Sequence, residues 1–253
     1  VTSPPAPDLP APPALRLAYV PGATPAKWAR TWAERRPGVP LELRPVAAAE
    51  AADALRAGAV DLALLRLPAR TSGLAVIPLY EETTVAVAPK DHVVTAADEL
   101  TAADLADEPV LVPLDDALHW ADPPGTPIEH RPETTEDAVE LVATGLGLLV
   151  VPQSLARLYH RKDLTYRPIT DAPPSPVALA FREGDRRADV EEFIGIVRGR
   201  REGSSRGAAD PAPKRTAREK TLAKQAARAA AGKKAAPPKP GRRTGGGPRR
   251  GRR

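Results

Sequence analysis

Residues 134–152 read TTEDAVELVATGLGLLVVP, and this stretch decides what kind of protein the rest of the chain can be. The Thr134 hydroxyl is placed to cap a helix, Asp137 falls at the third helical position, and Glu136 and Asp137 sit where the helix dipole favours negative charge. Ala138, Leu141 and Val142 recur at helical spacing and give that helix one apolar face. Gly145 supplies a left-handed C-terminal cap, and Leu148 to Val151 is a continuous apolar run, as expected of a strand covered on both faces. A helix feeding such a strand belongs to an α/β sheet. Its start then lies at the carboxyl edge of a neighbouring strand, where open α/β sheets bind ligands, although the same unit also serves as plain architecture.

Upstream, the chain becomes regular at Leu15, where Leu17 and Tyr19 continue an alternating strand. Thr24-Pro25 predicts a capped helix start, with Trp28 and Trp32 four residues apart on one face, more consistent with core packing than with a base-stacking platform. Pro37-Gly38 stops this helix; a strand at Leu41 to Val46, a helix at Ala48 to Ala57 closed by Gly58, and a strand at Val60 to Leu65 follow. That order implies parallel strands with right-handed crossovers. Shorter strands are expected at Ala75 to Leu79, Thr83 to Ala88, Val110 to Val112 and Ile128 to Arg131, with a short helix after Thr101. Beyond the opening unit come a helix near Ser154 to Tyr159, strands at Leu164 to Ile169 and Val177 to Phe181, and a helix from Asp189 to Arg198.

Five segments in this order carry a family resemblance: LRLAYVPG at 15–22, LRAGAVDLALLR at 55–66, GLAVIPLYEETTVAVAPKDH at 73–92, LTAADLADEPVLVP at 100–113, and the LVATGLGLLVVP that ends the opening stretch. Together they resemble the effector-binding domain of LysR-type transcriptional regulators over roughly residues 15–200. The resemblance implies an α/β, two-lobed clamshell of the type 2 periplasmic-binding-protein kind, with mixed, mostly parallel sheets. Lobe I would comprise residues 15–88 and 168–200, lobe II residues 89–167, with the first crossing near Ala88 to Asp91. A small, anionic organic effector would bind between the lobes, where closure can bury it.

Family and strand-end geometry together point to Pro21, Gly22 and Thr24 after the first strand, Arg66 after the third, Pro113 and Asp115 near the second crossing, and Thr134 and Thr135 at the helix start. Thr24 can offer its hydroxyl and nearby helix amides to an anion or simply cap; Arg66 can grip a carboxylate bidentately or remain a solvated surface arginine. The family often places a hydroxyl at the start of the second helix. Here that region is VAAAE, Val46 to Glu50, and that polar contact is missing. The family also carries a winged helix-turn-helix and a linker helix ahead of this domain. A start at Val1 and the absence of methionine fit an alternative valine-type start codon, hence a chain expected to be complete without them.

Charge divides the chain. Residues 1–200 hold 20 Lys+Arg against 29 Asp+Glu, whereas residues 201–253 hold 17 against 3. The proline-rich residues 1–14 and the Gly/Pro/Ala-rich residues 201–253 lack the large apolar side chains needed to offset chain entropy, so both are expected to be disordered. The basic segment predicts non-specific nucleic-acid binding through Lys214, Arg215, Arg218, Lys220, Lys224, Arg228, Lys233, Lys234, Arg242, Arg243, Arg249, Arg250, Arg252 and Arg253, the alternative being a merely solubilising tail. No cysteine is present, which removes disulfides, thiolate metal sites and cysteine nucleophiles and fits a cytoplasmic protein. His92, His119, His130 and His160 show no metal-ligand spacing, and no metal or cofactor is expected. No basic-then-apolar leader and no run approaching roughly 18 to 20 apolar residues is seen, so no membrane partner is expected.

Three function classes follow. A non-enzymatic effector sensor in transcriptional regulation ranks first, acting through the tail, as a homodimer, or paired with a full-length LysR-type regulator. A solute-binding protein of the same fold ranks second, and a small enzyme last, because no nucleophile-base pair or cofactor motif is visible.

Overall fold

The computed structural model describes residues 14–200; the proline-rich start and every proposed nucleic-acid-binding residue of the basic segment lie outside the described residues. The first lobe opens with β1 (Leu15–Tyr19), α1 (Ala26–Arg35), β2 (Leu41–Pro45), α2 (Ala51–Arg56), β3 (Leu62–Arg66) and β4 (Leu74–Glu82). The chain crosses over as β5 (Thr84–Pro89) and builds β6 (Pro109–Leu111), β7 (Thr126–Pro127), α3 (Thr135–Ala143), β8 (Leu148–Pro152), α4 (Gln153–Leu158) and β9 (Leu164–Pro168). It returns in β10 (Ser175–Arg182) and α5 (Ala188–Val197). Two five-stranded sheets result, ordered β2-β1-β3-β10-β4 and β7-β6-β8-β5-β9.

The opening stretch folds as its residues dictate. Thr134 and Asp137 close a reciprocal capping box on α3, and Gly145 follows its end at φ +79°. Along β8, Leu149 and Val151 pack in one core with Ala138, Val139 and Val142 of α3, while Leu148 and Val150 pack in another with Leu105 and Val110. The run is unbroken because both faces of the strand are dry. In the first lobe Trp32 is buried against Phe193, with ring centroids 5.9 Å apart, and its indole N–H donates to the Val39 carbonyl at 2.8 Å. That tryptophan is a core residue with its one polar group satisfied.

Several expectations need correction. The strand Thr84–Pro89 pairs with β8 and β9 of the second sheet, so the first crossing lies between Glu82 and Thr84 rather than at Ala88 to Asp91. Its alternation could announce a strand but not the sheet it joins; that is set by Val85 and Val87 packing into one second-lobe core and Ala86 and Ala88 into the other. Among the described residues, four strand pairings are parallel and four antiparallel, so the sheets are evenly mixed rather than mostly parallel. All four antiparallel pairings involve β5 or β10, the strands that carry the chain between lobes. Ile128 to Arg131 is not a strand. The pairing with β6 is confined to Thr126–Pro127, after which Arg131 turns in to donate to the Val112 and Pro113 carbonyls at 3.0 and 2.9 Å. Nor does Thr24 cap α1, whose N-terminus has no side-chain cap.

The two crossings are tied to each other. Thr84 is buried just past the first crossing and donates its hydroxyl to the Pro173 carbonyl in the second at 2.7 Å, while its own carbonyl accepts from the Ile169 amide at 3.0 Å.

At the far end of the first sheet, the buried Asp61 accepts from the Arg16 amide, Nε and Nη2 at 2.9, 3.1 and 2.8 Å and from Arg187 Nη2 at 2.9 Å. Burial pushes its pKa up, but the hydrogen bonds from Arg16 and Arg187 outweigh that and hold it at about 2. A depressed carboxylate pKa contributes stability that is present above the unfolded value and is lost as pH falls through the folded one. The chain is therefore expected to lose stability between about pH 4 and pH 2 more steeply than its Asp61→Asn variant, which at neutral pH should be weaker by about 2 kcal/mol. Urea denaturation at a series of pH values reads both effects.

Candidate ligand-binding cleft

β1, β3 and β4 all present their carboxyl ends to the gap between the lobes, and α4 faces them from the second lobe. Arg66, the last residue of β3, is the hub. Its Nη1 donates to the Pro21 carbonyl at 2.6 Å, its Nε and Nη2 to Glu82 Oε2 at 3.3 and 3.0 Å, and Nη2 also to Ser154 Oγ at 2.8 Å. Ser154, in the first turn of α4, donates in turn to Glu82 Oε2 at 2.8 Å. The Arg66 and Glu82 side chains are 4% and 8% exposed, so this is a buried ion pair bridged to the other lobe by one hydroxyl. Gly22 fits against it only because it lacks a side chain. A Cβ there would stand 2.4 Å from Ser154 Oγ and 2.8 Å from Arg66 Nη2, at a φ of +82°.

Beside this latch opens a cavity of about 850 Å³. From the first lobe it is lined by Tyr19, the turn from Pro21 to Thr24, Pro45 and Tyr80 to Glu82; from the second, by Gln153, Ser154 and Arg157 to Tyr159. Such a volume suits a small organic molecule. Of the residues singled out in the sequence, Pro21, Gly22 and Thr24 line it, and Arg66 sits directly behind it. The others are elsewhere. Thr134 is spent on its capping box, Thr135 is buried and donates to Asp115 at 2.9 Å, and Pro113 lines a smaller hollow of about 40 Å³ in the second lobe.

The anionic ligand expected from a convergence of Thr24, Arg66 and Thr134 thus loses its basis. Thr134 does not reach the cavity, and Arg66 already holds a carboxylate of its own chain. The residues missed are Glu82, Ser154 and the tyrosines. YEETT at 80–84 carried a legible hint, two acidic residues inside a segment that otherwise alternates as strand, but nothing in it announced that β4 ends at the mouth of the cleft. Among the described residues no group of three or more His, Asp or Glu side chains is placed to hold a metal ion, and no helix is long and apolar enough to cross a membrane.

Truncating one member of a buried pair strands the other without its counter-charge. Arg66→Ala is expected to cost about 3–5 kcal/mol in urea denaturation, and combining Arg66→Met with Glu82→Leu should cost clearly less than Arg66→Ala alone. Gly22→Ala, which forces a Cβ into the latch at an unfavourable φ, should cost about 1–3 kcal/mol in the same measurement.

Comparison with known proteins gives this architecture its relatives. Residues 13–202 match the LysR substrate binding domain family. A probable hydrogen peroxide-inducible genes activator of Mycobacterium avium is 33% identical over 180 residues, covering 65% of this chain and 57% of the relative. The HTH-type transcriptional regulator AlsR of Bacillus subtilis is 25% identical over 182 residues, covering 66% and 59%. The chain thus spans less than two thirds of the length of these regulators. Among solved structures, the BenM effector binding domain with its effector benzoate aligns with a TM-score of 0.64 at 19% identity, covering 74% of this chain and 91% of that one. The oxidized form of OxyR aligns at 0.63 and 21%, covering 78% and 99%. These two share the fold: a two-lobed, type 2 periplasmic-binding-protein-like clamshell. With three quarters of its length matched to one domain family and its two mixed sheets arranged as in that family's effector-binding domains, this chain belongs to the LysR substrate-binding domain family.

Proposed function

We propose that residues 15–200 are a non-enzymatic effector-binding module of transcriptional regulation, and that one small molecule binds between the lobes. The observation that carries this reading is the cavity of about 850 Å³, lined from both lobes beside two crossings that can act as a hinge. An anion would have to displace Glu82 from Arg66, so the reading keeps the expected small size of the effector and drops its negative charge. Some relatives are named for induction by hydrogen peroxide, and OxyR is described in an oxidized form. The 253 residues here contain neither cysteine nor methionine, so the reversible sulfur oxidations that serve as redox switches have no site in them. Binding, not oxidation, is the input this chain is equipped for.

The basic segment completes the proposal. Its 17 Lys+Arg against 3 Asp+Glu suit duplex DNA or RNA held through phosphates, with little preference among sequences, in a cytoplasmic setting. Promoter choice then falls to a partner, a second copy or a full-length LysR-type relative, because base readout needs an element fitted to a groove.

Two measurements test this. In a thermal-shift screen of metabolites, a true effector at 100 times its Kd should stabilise the domain by about 2.7 kcal/mol; the absence of any shift across a broad screen would sink the sensor reading. In a fluorescent-DNA titration, the full chain should lose about 10³ to 10⁵ in affinity between 50 and 200 mM salt if about 6 to 10 phosphates are contacted, and a chain ending at Arg200 should bind far more weakly. Equal binding by the two chains would remove the tail from the mechanism.

A further inference from the structure

We infer that the interlobe cavity selects an organic cation, a small molecule bearing an ammonium or similar group beside an apolar body. This rests on the reading of the cavity as the effector site and deepens it.

The first observation is which end of the buried ion pair faces the ligand space. Arg66 commits donors inward, to the Pro21 carbonyl, to Glu82 and to Ser154, and does not line the cavity. Glu82 does line it. Every hydrogen bond to the Glu82 carboxylate ends on Oε2, which leaves Oε1 without a partner among the described residues on a side chain only 8% exposed. Because it is not among the fully buried unpartnered atoms, this oxygen still reaches open space, and a carboxylate oxygen with unused lone pairs at the wall of a cavity is an acceptor open to a ligand donor. Were the pair reversed, with Arg66 outward, the same two residues would favour an anion.

The second observation is independent of that pair. Three of the chain's four tyrosines, Tyr19, Tyr80 and Tyr159, line this one cavity. Tyr80 is left 41% exposed at its wall, with no aromatic or cation-π partner among the described residues. Tyrosine faces attract ammonium groups through the ring quadrupole, and their apolar bodies cover the rest of a ligand. Glu81 adds a second carboxylate, and Arg157 is the one cationic side chain of the lining, drawn through its Nε to the Tyr166 hydroxyl at 3.1 Å. The local field agrees with this polarity. Burial raises the pKa of both Tyr80 and Tyr159; Glu82 raises it further at the first against an opposing effect of Arg66, and Glu136 and Asp115 raise it further at the second.

The test compares three probes of one shape and different charge, benzylamine, benzyl alcohol and benzoate, titrated into the full chain by calorimetry. Benzylamine is expected to bind about tenfold or more tighter than either of the others, because a charge-assisted hydrogen bond is at stake. Glu82→Gln should erase that preference. Since Glu82 also holds Arg66, Tyr80→Leu and Glu81→Gln serve as second variants that leave the latch intact, and each should weaken benzylamine several-fold without changing benzyl alcohol binding as much as it changes the amine. Benzoate binding as tightly as benzylamine would overturn the inference while leaving the cleft as the effector site. Failure of all three probes at millimolar concentration would also overturn it, and the metabolite screen would then decide separately whether the cleft binds anything.

Discussion

One buried ion pair fixes how the two lobes meet. Taking the Arg66 and Glu82 charges out of water costs several kcal/mol each, and their mutual attraction repays this only where the remaining hydrogen-bonding capacity is also used. For Arg66 it is, by the Pro21 carbonyl and the Ser154 hydroxyl, while Glu82 keeps Oε1 free toward the cavity it lines. The pair therefore constrains four separate pieces of chain at once: the turn after β1, the ends of β3 and β4, and the start of α4. Three of these belong to the first lobe and one to the second. The pair's own link across the cleft is the Ser154 hydroxyl, placed where an entering ligand would compete for the same carboxylate.

That asymmetry bears on how a sensor of this kind can respond. A ligand shifts a conformational equilibrium only by its differential affinity for the two states. If the lobes were held apart or together by a broad apolar interface, a small molecule could not outweigh it. At this latch the tie between the lobes is a pair of hydrogen bonds through Ser154, each worth about 1 kcal/mol, and the two crossings are pinned to each other through Thr84 and Pro173. A cavity lined from both sides converts the free energy of binding into a preference for one angle between the lobes.

Much of this was legible in the sequence, and what was not has a common cause. Local signals gave the elements: the Thr134–Asp137 box, Gly145 after α3, and the run from Leu148 to Val151 each depend on neighbours within a few residues. Sheet membership is non-local. Thr84 to Pro89 alternates like any strand, and only its pairing with β8 and β9 makes it part of the second sheet, which puts the crossing earlier in the chain by the 6 residues of that strand. Of the residues that line the cavity, Pro21, Gly22 and Thr24 on the turn after β1 were legible. The site was obscure where it depends on which way a side chain faces: Arg66 was visible as a charge at a strand end, but not as a charge already answered by Glu82, sixteen residues on in the next strand of sequence.

The same distinction limits what family membership transfers. Structures sharing about a fifth of their residues with this chain share its backbone, and hence the existence of a cleft, but a ligand is chosen by side chains. On the side of the cleft where the family offers a hydroxyl at the start of the second helix, this chain has VAAAE, and Pro45 is what reaches the cavity from that strand. The polar and aromatic groups have instead gathered at the end of β4 and on α4, around Tyr80, Glu81, Glu82, Ser154 and Tyr159. Under the proposed reading, a ligand that met a relative through the lost hydroxyl would find no side-chain donor at Val46 to Glu50, whereas Glu81 and Glu82 at the end of β4 offer it acceptors.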